Sequence, residues 1–318
     1  MGQKSRLVCG LLVAASFFLA GCGRRGPAVP QASPSGRARI QVVATTTVVA
    51  DLVRQVGGDR VGVECLMAPG IDPHSYKATP RDADRLLAAD LVVASGLHLE
   101  GRLAALLEKM TDQVAVVAVA DRLPADRVLF AAGEIPDPHV WFDAAAWSML
   151  PKVVAEALAA LDPEHAGDYH ARAADYTTRL ETLDGEIRAQ IHRIPESRRV
   201  LVTAHDAFRY FGRAYGIEVV GVQGTNTTSE AGLGDINRLV DLVVTRGIPA
   251  VFVETSVADR NVTALVEGAR ARGHEVRLGG RLYSDSLGDH ASGADTLEAA
   301  LRANVAAMLE ALGPEAAP

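Results

Sequence analysis

The chain reads as an α/β protein of two lobes, each built on a mainly parallel four-stranded sheet, joined by one long backbone α-helix. Three observations predict this class. Short β-rich runs alternate with amphipathic helical runs from residue 39 onward; the alternation stops and then restarts at Arg199; and between the two series one apolar repeat of three and four residues persists for about seven turns. Length agrees, because 318 residues exceed the usual span of one domain and favour two of roughly 120 to 150 residues.

The first segment is a processing signal rather than a fold element. Lys4 and Arg6 precede an apolar stretch, residues 7–20, that is too short for a comfortable membrane span, and "LAGC" follows at 19–22. That tetrapeptide resembles a lipobox, so residues 1–22 are expected to be a lipoprotein signal and Cys22 the lipidated anchor to a bilayer. Residues 23–38, "GRRGPAVPQASPSGRA", lack periodicity and form an expected flexible tether of about 20 Å reach. Cys9 would leave with the signal, and lipidation would occupy Cys22. Cys65 then stands alone, which excludes a disulfide and a Cys-rich metal site.

In the first lobe, residues 39–161, "IQVVATT", "VGVECLM", "DLVVAS" and "QVAVVAVA" are expected strands, buried on both faces. "VVADLVRQVGG", "PRDADRLLAA" and "LEGRLAALLEKM" are the helices between them. The connector, residues 162–195, opens on Asp162 as N-cap and Pro163 as first helical residue. Tyr169, Ala173, Tyr176, Leu180, Leu183, Ile187, Ile191 and Ile194 form its apolar stripe until Pro195. In the second lobe, residues 196–318, the strands are "VLVTA", "EVVGV", "AVFVETS" and "EVRLGG", with helices such as "GLGDINRLVDLVVTRG" and "DRNVTALVEGARARG". A single stiff connector predicts small lobe motion with local loop shifts.

A net charge of -7 disfavours nucleic acid and anionic membrane surfaces as partners and leaves cations open. The histidines narrow this further. His74 and His139 each end an Asp-Pro-His tripeptide, in "GIDPHSY" and "PDPHVW", and His205 directly follows the strand ending at Ala204. Asp285, in "RLYSDSLGD", follows the last strand of the second lobe. All four lie beyond the carboxyl ends of strands, where open α/β sheets bind ligands, and they come from both lobes. Three imidazoles and a carboxylate suit a first-row divalent ion, Zn²⁺ or Mn²⁺ above all. The prolines restrict the backbone of both His-bearing loops and favour a preformed site. His98, His165, His170, His192, His274 and His290 read as surface or structural residues.

On "TTTVVADLVRQVGGDRVGVECLMAPGIDPHSYKATPRD", "GLHLEG", "DPHVWFD", "AHDAFRYFGRAYGI", "GVQGTNTTSEAG", "FVETSVADRNV" and "GGRLYSDSLGD", in that order and spacing, the chain resembles the TroA/ZnuA-like (cluster A-I) solute-binding lipoproteins of ABC importers. The resemblance runs from residue 44 to about residue 312 and is nearest the TroA type. It implies a monomeric extracytoplasmic protein, lipid-anchored through Cys22, that holds Zn²⁺ or Mn²⁺ between its lobes as a transported ligand and delivers it to an ABC permease membrane subunit. The family's ligand positions carry over to His74, His139, His205 and Asp285. His205 stands where manganese and iron members often have Glu, which shifts preference toward zinc. The segment "LPADRVLFAAGEIPD" has no histidine, unlike the His-rich loop of many zinc members.

Two alternatives belong to other classes. One is a zinc-dependent hydrolase with an open three-histidine site and Glu254 as general base; in the binding reading Glu254 instead orients a ligand from behind. The other is a surface adhesin, for which no residue pattern speaks.

Overall fold

Each of the eight expected strands forms, seven of them on runs that carry β-branched residues and the last, Arg277–Leu282, on "RLGGRL", which has none. The structure, a computed structural model, describes residues 39–131 and 135–314. The expected signal segment, Cys22 and the tether lie outside the described residues. The first lobe runs β1 (Ile40–Ala44), α1 (Thr47–Gly57), β2 (Val61–Cys65), α2 (Pro80–Leu87), β3 (Leu91–Ala94), α3 (Ala104–Met110) and β4 (Ala115–Ala118). Its four strands form one parallel sheet in the order β2-β1-β3-β4. Start signals in the sequence act as expected: Thr46 caps α1, and Thr79 with Asp82 forms a capping box ahead of α2, with Pro80 in its first turn.

Two short helices, α4 (Ala144–Trp147) and α5 (Pro151–Leu161), lead into the connector α6 (Ala166–Ile191). This helix is shorter at its start than expected, because residues Pro163–His165 form a 3₁₀ turn. Asp162 does not cap it with its side chain. Its carboxylate instead accepts from His165 Nδ1 at 2.7 Å and from the Tyr169 hydroxyl at 3.0 Å. The 26 residues still give a rod of about 39 Å. All eight stripe residues, from Tyr169 to Ile194, are buried.

The second lobe follows as β5 (Val200–His205), α7 (Arg209–Tyr215), β6 (Glu218–Gln223), α8 (Leu233–Thr245), β7 (Ala250–Glu254), α9 (Arg260–Ala271), β8 (Arg277–Leu282) and α10 (Leu297–Leu312). All its pairings are parallel, yet the strands hydrogen-bond as two pairs, β5-β6 and β7-β8, with β5 packed beside β7. Burial on both faces holds for β3, β5 and β7. The edge strands β2, β4, β6 and β8 are partly exposed, since each lacks a neighbour on one side.

One apolar core runs without interruption from α1 (Val49, Val53) through α6 (Leu180, Leu183) to α7 (Phe211, Tyr215) and α10 (Leu301, Met308). Smaller clusters cover the outer faces of the two sheets. The connector is therefore a shared wall rather than a strut.

Candidate metal centre

Both Asp-Pro-His tripeptides fold into the same turn. The aspartate accepts the backbone N–H of the histidine two residues on, Asp72 Oδ1 from His74 at 2.9 Å and Asp137 Oδ1 from His139 at 3.1 Å. The chain then passes close beneath His74 at Gly101 (φ 48°), where a Cβ would stand 2.6 Å from the His74 carbonyl oxygen. His205 is the last residue of β5, and Asp285 lies three residues past β8. These four side chains, which the sequence placed at strand ends, converge so that one ligand atom from each lies within 4.8 Å of all the others.

The nearest approaches among them have the size of a coordination shell. His74 Nε2 stands 3.2 Å from His139 Nε2, which stands 3.4 Å from His205 Nε2. Asp285 places Oδ1 3.3 Å from His139 Nε2 and Oδ2 3.3 Å from His205 Nε2, with His74 Nε2 farther at 3.9 Å. A tetrahedron with metal–nitrogen bonds of about 2.0–2.1 Å has edges of about 3.3 Å. The four residues are no more than 3% exposed, and Asp285 Oδ1 is buried without a hydrogen-bond partner. A buried oxygen left so, among three ring nitrogens, is one that a cation at the centre would satisfy.

Groups behind the cage fix the rings. His139 Nδ1 donates to Asp137 Oδ1 at 2.7 Å, leaving Nε2 to face the centre. His205 Nδ1 donates to Glu254 Oε2 at 2.5 Å, and the His205 backbone N–H donates to Glu254 Oε1 at 2.8 Å. Glu254 is fully buried with each oxygen accepting from His205, so it orients that ring from behind. Ser256 Oγ donates to Asp285 Oδ2 at 3.4 Å, and Trp141 Nε1, from the first lobe, holds the Ser284 carbonyl at 3.1 Å. The Tyr210 hydroxyl of α7 donates to the Asp137 carbonyl at 3.1 Å.

Charge in the cage follows from these partners. Burial pushes His74 down to about 4, against the attraction of Asp285. Burial also opposes charge on His139, but Asp137, hydrogen-bonded to its Nδ1, and the neighbouring carboxylate of Asp285 hold it up at about 9. His205 is likewise raised well above the ordinary imidazole value, because the charges of Asp285 and Glu254 outweigh its burial. Burial would raise Asp285, yet His205 and His139 keep it well below the usual carboxylate range. Protons thus stand in for a cation. Three carboxylates, Asp285, Asp137 and Glu254, are buried here; a divalent ion together with Arg209, 3.6 Å from Asp137 Oδ2, would offset them.

Among the remaining histidines, His98, His170, His192 and His290 are exposed, His165 pairs with Asp162, and His274 Nε2 bonds the Ile248 carbonyl. Burial pushes the Cys65 thiol up to about 11, so it is no metal ligand at neutral pH. Sequence reasoning missed the ring partner Asp137 and the braces Trp141, Tyr210 and Ser256. The one available signal was the aspartate two residues before each histidine.

The family model described as "Zinc-uptake complex component A periplasmic" (ZnuA) matches residues 42–311. The chain is 42% identical over 299 residues to the manganese-binding lipoprotein MntA of Bacillus subtilis (strain 168), covering 94% of this chain and 96% of that protein. It is 41% identical over 271 residues to the zinc-binding protein TroA of Treponema pallidum (strain Nichols), covering 85% and 88% respectively. The solved structure of the periplasmic zinc-binding protein TroA from Treponema pallidum aligns with a TM-score of 0.85 at 40% identity, over 87% of this chain and 100% of that one.

Proposed function

The chain belongs to the ZnuA family of periplasmic zinc-uptake components, and from that premise we propose that His74, His139, His205 and Asp285 are the ligands that hold its cargo. The protein is an extracytoplasmic solute-binding component of an ABC importer for zinc or manganese, with a permease as its partner, and not an enzyme. The observation that carries the ligand assignment is the buried convergence of the four side chains from both lobes, with Asp285 Oδ1 left unpartnered. Four protein ligands fill a tetrahedral shell and leave no position for a reactive water, which suits carriage.

Zinc is the tighter ion in this reading. Three ring nitrogens favour it over manganese, and affinity rises along the first-row series from Mn²⁺ to well above it at Zn²⁺. Competition between Zn²⁺ and Mn²⁺ on purified protein, with elemental analysis of protein taken from its native envelope, tests the order. Asp285→Ala combined with His139→Ala is expected to abolish tight zinc binding; unchanged zinc affinity would sink the ligand assignment. The lipobox-like "LAGC" supports attachment of Cys22 to the membrane, for which release of a Cys22→Ala variant into the soluble fraction is the check. A monomer is the proposed state, for which the solution mass by light scattering is the check.

A further inference from the structure

Three of the four cage residues are held from within their own surroundings. Asp137 clamps His139, Glu254 clamps His205 across the β5–β7 contact, and Asp285 sits between Ser284 and Ser286, both buried. His74 is different. Its ring is buried, but residues 68–71, which lead up to it, are exposed, and the Asp72 carboxylate takes hold of the backbone N–H rather than the ring.

Two hydrogen bonds tie this loop to the second lobe. The Gly70 N–H donates to Ser286 Oγ at 2.8 Å, and Ser286 is itself anchored by donating to the Leu287 carbonyl. The Thr227 hydroxyl donates to Asp72 Oδ2 at 2.6 Å. That carboxylate therefore has two tasks. Oδ1 shapes the turn that presents His74, while Oδ2 accepts from Ser75 Oγ and from Thr227 across the lobe boundary. Hydrogen bonds to a charged acceptor are the stronger ones, so whatever moves Thr227 also acts on the His74 turn. Gly224, Thr225 and Asn226, just before it, share with His74 the wall of a cavity of about 530 Å³. This stretch is largely exposed, whereas Ser286 is buried.

We propose that Thr227 is a positioning residue: its hydroxyl latches the His74 loop to the second lobe and sets how long the metal stays. The inference rests on His74 being a ligand of the cargo. Opening the latch leaves the His74 loop tied to the second lobe by the Gly70–Ser286 bond while the other three residues keep their clamps, so the ion leaves by the His74 side.

The test is zinc release from the full chain into excess chelator, followed by stopped flow. Thr227→Val keeps the side-chain shape and removes the hydroxyl; release is expected to be about tenfold faster, with unchanged capture rate and unchanged melting temperature of the metal-free protein. Thr227→Ser restores the donor and should return release to within about twofold of the parent. In a double-mutant cycle with Asp72→Asn, the second change should add little to the first. Release of Thr227→Val at the parent rate, or fully additive effects of the two substitutions, overturns the latch. Failure of the parent protein to bind zinc at all would instead remove the ligand assignment beneath it.

Discussion

The two Asp-Pro-His loops share a tripeptide and a turn, yet the structure uses them in opposite ways. Asp137 is fully buried and grips its histidine twice, at the backbone N–H and at ring Nδ1. Asp72 is partly exposed and grips only the backbone of His74, spending its other oxygen on Ser75 and Thr227. The consequence appears in the protons: His139 is held up at about 9 and His74 pushed down to about 4. The tripeptide encodes where a ring is presented. Whether the ring is locked there depends on how deeply the aspartate is buried.

The sharpest way to break this comparison is to delete each ring. Zinc binding worth about 10–16 kcal/mol over four ligands implies a loss of roughly 70- to 900-fold in affinity for either His74→Ala or His139→Ala. Only His139→Ala should also destabilise the metal-free protein, by about 3 kcal/mol, because it leaves the Asp137 carboxylate buried beside a hole with Arg209 no nearer than 3.6 Å. Urea unfolding of both variants after chelator treatment measures this. Equal stability of the two would mean that the loops are equivalent after all.

A smaller effect separates the aspartates. Asp137→Asn removes the charge that orients His139 and should weaken zinc binding by about 10- to 100-fold. It should also change the pH dependence of the metal-free protein. The folded-state value of His139 lies above that of an unfolded imidazole, about 6.5, so its stabilising contribution is complete below pH 6.5 and is lost as pH rises through 9. His74 works with the opposite sign: its folded value of about 4 means stability falls as pH drops from 6.5 toward 4. Chelator-treated parent protein should therefore be most stable near pH 6.5 as far as these two groups decide it, and Asp137→Asn should flatten the alkaline side. Zinc affinity of the parent should rise from pH 6.5 to 9 as His139 gives up its proton. A calorimetric titration showing no proton release on zinc binding at pH 7 would contradict the assignment.

Much of this was legible in the sequence for physical reasons. The stripe from Tyr169 to Ile194 is a long regular period, and a period determines which face of a helix is buried regardless of what packs on it. His74, His139, His205 and Asp285 were legible because strand ends in an α/β chain face one edge, and the resemblance added the matching ligand positions. What was hidden depends on pairs distant in sequence. Trp141 reaches Ser284, Tyr210 reaches Asp137, and Thr227 reaches Asp72, contacts that no local pattern announces. The exposed edges of β2, β4, β6 and β8 were hidden for a similar reason: a short apolar run shows that a segment is a strand, not whether it has a neighbour on each side.

The smallest expected effect concerns the shape of the whole molecule. If the difference between the two loops governs release, the lobes need not separate, because the core shared by α1, α6, α7 and α10 would have to be torn to let them. Prising apart even a modest apolar contact exposes area at about 25 cal/mol per Å², so a wide hinge opening costs many times what freeing one loop does. The radius of gyration of the folded part should be about 19 Å, the value for a compact monomer of this size. Small-angle scattering with zinc and with chelator should then differ by less than about 0.5 Å, the change expected of local loop shifts rather than hinge closure. A larger expansion on metal removal would show that His139 and its clamped loop travel with the second lobe or away from it as a body. In that case the release pathway would belong to the helix α6 and not to the His74 loop.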